Sequence, residues 1–249
     1  MLGLGVGFYG VGGDMDVKGS WLPSDESSLE AWYRFNTGIT DLEPGVSVWA
    51  NSAGNSEYDM LQSDAYRRPT NSSGTITFST DTTGSNLEDQ LEIAQDGAPD
   101  DIQLDGAFVI GMKFNSTGIN MVVMGSNQAQ NEMVKLQDAT TFRLKNNDGG
   151  LKDFTLSSGA TTDDSYWVIS RDGSDNITVY KDGSSSPFVA NGLSRDGTFI
   201  IDAIGVRNSN PAGGAGTNNF DGTIKEIVIF KGTTSAALIA NVNDRLSTL

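Results

Sequence analysis

Short apolar runs, each closed by a turn rich in Gly, Asp or Asn, recur along the chain and leave it few ways to fold. Tyr166-Trp-Val-Ile-Ser-Arg171 and Ile177-Thr-Val-Tyr-Lys181 flank Asp172-Gly-Ser-Asp-Asn176. That spacing predicts a β-hairpin, because glycine admits the turn dihedrals that bring two strands together. A second turn signal follows at Asp182-Gly183, and Thr141-Phe-Arg-Leu-Lys145 alternates with period two. Further strands are expected at 46–49, 75–79, 87–93 and 199–206. Residues 107–114 should form a central strand, with 120–124 and 132–136 as its antiparallel followers. In 29–35, Leu29, Ala31, Tyr33 and Phe35 fall on one face, and Glu30, Trp32 and Arg34 on the other. The count is about a dozen short strands at regular spacing, the pattern of a two-sheet antiparallel sandwich.

The only helical pattern comes last. Leu238, Val242 and Leu246 repeat at four-residue steps with Ile239 beside them, and Thr234 or Ser235 can cap the first turn. This helix is expected to seat against an edge of the sandwich. No strand–helix–strand alternation occurs, which excludes dinucleotide-binding folds. A single sandwich accounts for residues 25–249, preceded by an arm and linker at 1–24.

Composition narrows the chemistry. The chain has neither Cys nor His, so disulfides, thiolate sites and Cys or His nucleophiles are absent, and zinc has no good ligands. Asp and Glu number 32 against 16 Lys and Arg, a formal charge of −16. That balance argues against nucleic acid, whose phosphates need basic patches. It suits solubility and oxygen ligation of calcium. Asp96, Asp100 and Asp101 form one acidic cluster and Asp172 and Asp175 another. Neither matches the twelve-residue calcium loop, and Asp and Asn serve equally as turn formers. Structural calcium is therefore the one metal to look for, and no other cofactor is implied.

The first thirteen residues read Met-Leu-Gly-Leu-Gly-Val-Gly-Phe-Tyr-Gly-Val-Gly-Gly. So much glycine disfavours helix and leaves an extended strand with Leu2, Leu4, Val6 and Phe8 on one face. The segment lacks a signal peptide's basic start and is too short to span a membrane. Exposed Leu2, Leu4, Val6, Phe8 and Tyr9 suit an arm that docks on a neighbouring subunit, with Trp21 pinning its base.

The segment Phe220-Asp-Gly-Thr-Ile-Lys-Glu-Ile-Val-Ile-Phe230 with the following helix resembles the close of laminin-G-like, concanavalin A-like lectin/glucanase domains. The hairpin ending Tyr180-Lys-Asp-Gly183 is similar to their central hairpin. Residues 29–35, Val48-Trp-Ala-Asn-Ser-Ala-Gly-Asn55 and Arg68-Pro-Thr70 resemble the opening of such domains in bacteriophage and bacterial surface proteins. The start Met-Leu-Gly-Leu-Gly is similar to that of virion proteins of marine cyanobacterial tailed phages. The resemblance implies a jelly-roll sandwich in a non-enzymatic virion protein, a capsid decoration or tail component in a multicopy assembly. Its partners would then be other virion proteins, and no membrane is expected.

Two alternatives stand beside that expectation. A lectin-like module would bind host glycan through aromatics and Asn or Asp, although Trp49 and Trp167 read as core residues and only Trp32 as outward. A glycoside hydrolase would need two facing carboxylates. The nearest stretch, Glu88-Asp-Gln-Leu-Glu92, places Glu88, Gln90 and Glu92 on one face and Asp89 on the other, and reads as a solvated acidic edge. No Glu-x-Asp-x-x-Glu pattern occurs. Glu226 reads as a structural residue paired with a nearby Arg or Lys.

Overall fold

The structure, a computed structural model, describes residues 21–80, 88–93, 101–126, 131–146, 150–155, 164–184, 196–206 and 218–249. Eighteen strands, three single-turn 3-10 helices and one α-helix occur among them. Every strand pairing is antiparallel.

Numbered in chain order, the first sheet contains β1 (Leu29–Tyr33), β5 (Thr70–Ser72), β6 (Thr75–Phe78), β9 (Phe108–Ser116), β14 (Ser165–Arg171), β15 (Ile177–Lys181) and β18 (Gly222–Lys231). Its order is β15-β14-β9-β18-β6-β5, with β1 also paired to β18. The second sheet has nine strands: β2 (Ile39–Leu42), β3 (Gly45–Trp49), β4 (Met60–Leu61), β7 (Leu91–Ile93), β10 (Met121–Ser126), β11 (Asn131–Leu136), β12 (Thr141–Lys145), β13 (Leu151–Thr155) and β17 (Ala203–Ile204). A small third sheet pairs β8 (Ile102–Leu104) with β16 (Phe199–Ile201).

The two large sheets enclose one continuous apolar core. Alternation along β9 and β14 sends Ile110, Met112, Phe114, Trp167 and Ile169 inward, where they meet Val123, Met133, Phe142 and Leu144 from the second sheet. Trp167 stacks on Phe142 at 4.8 Å and on Phe114 at 6.1 Å, so one indole ties the sheets together. Trp49 and Trp167 are both fully buried, as the sequence predicts. Arg171 is also buried, and its guanidinium donates to the carbonyls of Gly106, Gly197 and Leu104, which anchors the small sheet.

Helix α1 (Ala236–Ser247) begins at Ser235, whose hydroxyl accepts from the Leu238 N–H. It lies on the outer face of the seven-stranded sheet, over β9 and β14, rather than at a sandwich edge. Gly111 makes that seat: a Cβ there would lie 2.4 Å from Val242 Cγ1 and 3.1 Å from Leu246 Cδ1. Leu238, Val242 and Leu246 form a second apolar cluster with Trp32, Val109, Val168, Val228 and Phe230.

Several strand expectations need correction. The central strand β9 pairs with β14 and β18, whereas β10 and β11 belong to the opposite sheet. The 199–206 run divides at Asp202 between two sheets as β16 and β17. The strand in 87–93 is confined to Leu91–Ile93, and β13 had no clear alternating signal. A bulge between Leu29 and Ala31 breaks the simple alternation of β1, so Leu29 joins Trp32 in the helix-side cluster. Trp32 does face outward from its sheet, but the outer cluster buries it to 3% exposure. Residues 207–217 lie outside the described residues.

Candidate functional site

A groove of about 610 Å³ runs between α1 and the β14–β15 hairpin. Both walls follow from local sequence. Inward Trp167 and Ile169 leave Tyr166 and Val168 on the outer face of β14, and inward Val179 leaves Tyr180 outward on β15. Val168 pairs with Tyr180, and the Asp182 N–H donates to the Tyr166 carbonyl. Tyr166 and Tyr180 are therefore diagonal cross-strand neighbours on one floor.

The Asp182-Gly183 turn fixes the far end of that floor. Asp182 and Gly183 both have positive φ, at 52° and 67°. A Cβ on Gly183 would stand 2.6 Å from the Tyr166 hydroxyl oxygen, so glycine lets the phenol lie against the turn. The Asp182 carboxylate accepts from the Tyr166 N–H at 3.2 Å. Lys181 Nζ lies 3.6 Å from the same carboxylate, and Lys113 Nζ lies 5.5 Å from the Tyr166 ring centroid. Burial, and then the nearby charges of Asp182 and Asp244, push the Tyr166 phenol pKa up.

The helix supplies the other wall through Asn243 and Asp244. The Asn243 amide donates to the Ile239 carbonyl at 3.0 Å, which fixes its nitrogen on that side because a carbonyl takes only a donor. Its oxygen is buried and accepts no hydrogen bond among the described residues, although Asn243 lines the groove and is only 9% exposed. A buried acceptor without a donor is costly.

Beneath the helix is a different polar cluster. Glu226 is wholly buried and accepts four hydrogen bonds: from Trp32 Nε1, the Phe35 N–H, and Arg245 through both Nε and Nη2. A register shift in β18 between Ile224 and Glu226 puts Ile224 in the inter-sheet core and Glu226 on the helix side. With every donor internal, this cluster fastens α1 to the sheet. It is the Arg pairing that the sequence suggests.

The expected acidic edge at 88–92 is instead a buried stretch, because β7 lies inside the nine-stranded sheet between β4 and β17. Asp89, Gln90 and Glu92 are all buried. The Glu92 carboxylate accepts from Gln90 at 2.6 Å, and Asp89 accepts from the Ser79 backbone and hydroxyl. These hydrogen bonds give the stretch a structural role.

The other predicted site residues do not converge on the groove. Trp21 packs on Phe230 at 6.1 Å and donates to Glu26, so it anchors the start of the described chain. Leu2, Leu4, Val6, Phe8 and Tyr9 lie outside the described residues, as do Asp96 and Asp100. Asp172 accepts from the Ser174 and Asn176 N–H groups and the Asn176 amide, which is turn chemistry. Asp175 lies 3.8 Å from Arg171 Nε. Among the described residues, no three Asp, Glu, His or Cys side chains are grouped to hold a metal, Asp101 included. The groove residues Tyr166, Tyr180, Asn243 and Asp244 were not singled out from sequence. The available signal was the outward phase of the hairpin, which carries two tyrosines.

No protein-family model and no curated protein matches the sequence. Solved structures match the fold. Domain 4 of AbnA, a GH43 extracellular arabinanase from Geobacillus stearothermophilus in complex with arabinotriose, has TM-score 0.52 and 14% identity over 87% of this chain and 98% of that one. A structure of botulinum neurotoxin type C, whose cell entry depends on two ganglioside molecules, has TM-score 0.51 and 11% identity over 90% of this chain. The binding domain of Paraclostridial Mosquitocidal Protein 1 also has TM-score 0.51 and 11% identity over 90% of this chain. This chain spans about half of each toxin chain, 52% and 53% respectively. At these identities the likeness defines the fold alone: a concanavalin A-like, jelly-roll sandwich.

Proposed function

We propose that this chain is a non-catalytic carbohydrate-binding module and that its ligand lies in the groove between α1 and the β14–β15 hairpin. The observation that carries this reading is the pair of outward tyrosines, Tyr166 and Tyr180, lining a groove whose other wall carries Asn243 and Asp244. Saccharides present apolar C–H faces and rings of hydroxyl donors, and aromatic rings with nearby polar groups match both. The ligands named for the arabinanase domain and the type C toxin, arabinotriose and gangliosides, are consistent with this use of the fold.

The expectation of a virion structural protein that binds neighbouring virion proteins through its sandwich and N-terminal arm is the rival reading. It rests on the glycine-spaced start and the phage-like opening motifs. A glycan array probed with the wild-type chain and with Tyr180→Ala tests the binding reading. Tyr180→Ala should weaken the wild-type hits by at least about 1 kcal/mol, a substantial interface contribution. Hits that are indifferent to Tyr180, or a blank array, would contradict it.

A further inference from the structure

We propose that the groove selects saccharides bearing a free amine over neutral N-acetylated and acidic ones. This rests on reading the groove as a glycan site. Three features of its lining support the preference. Its charged side chains are Asp182 and Asp244, and neither Lys nor Arg lines it among the described residues. Lys181 partly offsets Asp182 from beneath, whereas Asp244 is exposed and has no ion-pair partner among the described residues.

The second feature is that the Asp182 and Asp244 carboxylates bring acceptors to both sides of the groove, complementary to an ammonium group with three N–H donors. The third is the pair of tyrosine rings, whose faces attract cations, as Lys113 already shows beneath Tyr166. An acidic sugar meets the opposite situation: it brings a carboxylate to a groove with no cationic lining among the described residues, on a chain of formal charge −16.

The test uses isothermal titration calorimetry of the full chain with three tetrasaccharides: glucosamine tetramer, its fully N-acetylated counterpart and tetragalacturonate. The glucosamine tetramer should bind about tenfold more tightly than the acetylated one, a difference of about 1.4 kcal/mol. Tetragalacturonate should not bind. Asp244→Asn, an exposed and isosteric change, should remove most of the amine preference, read as the ratio of the two tetramers' dissociation constants.

Equal or tighter binding of the acetylated tetramer, still weakened by Tyr180→Ala, would overturn the amine preference and leave the glycan groove standing. Amine binding that survives both Asp244→Asn and Tyr180→Ala would place the attraction outside the groove and overturn the preference. Failure of all three ligands, together with a blank glycan array, would overturn the carbohydrate reading itself.

Discussion

At the scale of single residues, the buried Glu226–Arg245 pair is the most consequential contact. Glu226 has no exposure and four donors, so removing one partner strands a charge. Arg245→Ala should cost roughly 3–5 kcal/mol in urea unfolding, the range for breaking a buried pair. The double variant Glu226→Gln with Arg245→Met should recover part of that loss, because neither side chain then carries a buried charge. Asp172 gives a pH-dependent counterpart. Hydrogen bonding from the Asn176 side chain first, and then from backbone N–H groups, holds its carboxyl pKa below its ordinary value. The folded pKa is depressed, so the stability it contributes is present above the unfolded-state pKa and is lost as pH falls through the folded one. Asn176→Ala should raise the Asp172 pKa in an NMR titration and shrink that acid-side loss. The sequence placed Asp172 in a turn and Glu226 in a structural pair. It could not reveal the irregular register in β18 that orients Glu226, because that register is set by pairing with β9.

At the scale of elements, the α1 seat bears on stability and on the proposed binding groove, because the same helix forms one of the groove's walls. Leu246→Ala should destabilise the chain by roughly 2–5 kcal/mol, the usual cost of deleting a large buried side chain. Gly111→Ala should also destabilise it, because its new methyl would meet Val242 and Leu246 on the sheet face. Both are measured by chemical denaturation. Gly111→Ala should in addition weaken ligand binding, since it displaces the wall that carries Asn243. The helix, its Ser235 cap and the β14–β15 hairpin were legible because local periodicity and turn chemistry determine them. Pairing partners were not. β9 and β10 are consecutive in sequence yet lie in different sheets, and the 199–206 run changes sheets at Asp202. Such choices depend on contacts distant in sequence.

At the scale of the whole molecule, the two large sheets enclose one core and the proposed binding groove lies on the helix-covered face. A two-sheet antiparallel sandwich was foreseeable from strand cadence, and its concanavalin A-like form from the resemblance of the closing strand–helix unit. The groove was not, because it joins residues 166–184 to residues 234–247 across the fold. Of the acidic residues that drew attention in the sequence, Asp172 hydrogen-bonds within its turn, and Asp89 and Glu92 are buried beside and within β7. The central claim is that this groove binds saccharide, and amide-resolved NMR of the labelled chain titrated with glucosamine tetramer tests it most directly. The account predicts that shifts concentrate at Tyr166, Tyr180, Gly183, Asn243 and Asp244 and vanish in Tyr180→Ala. Saturable shifts confined to another face of the sandwich would contradict it.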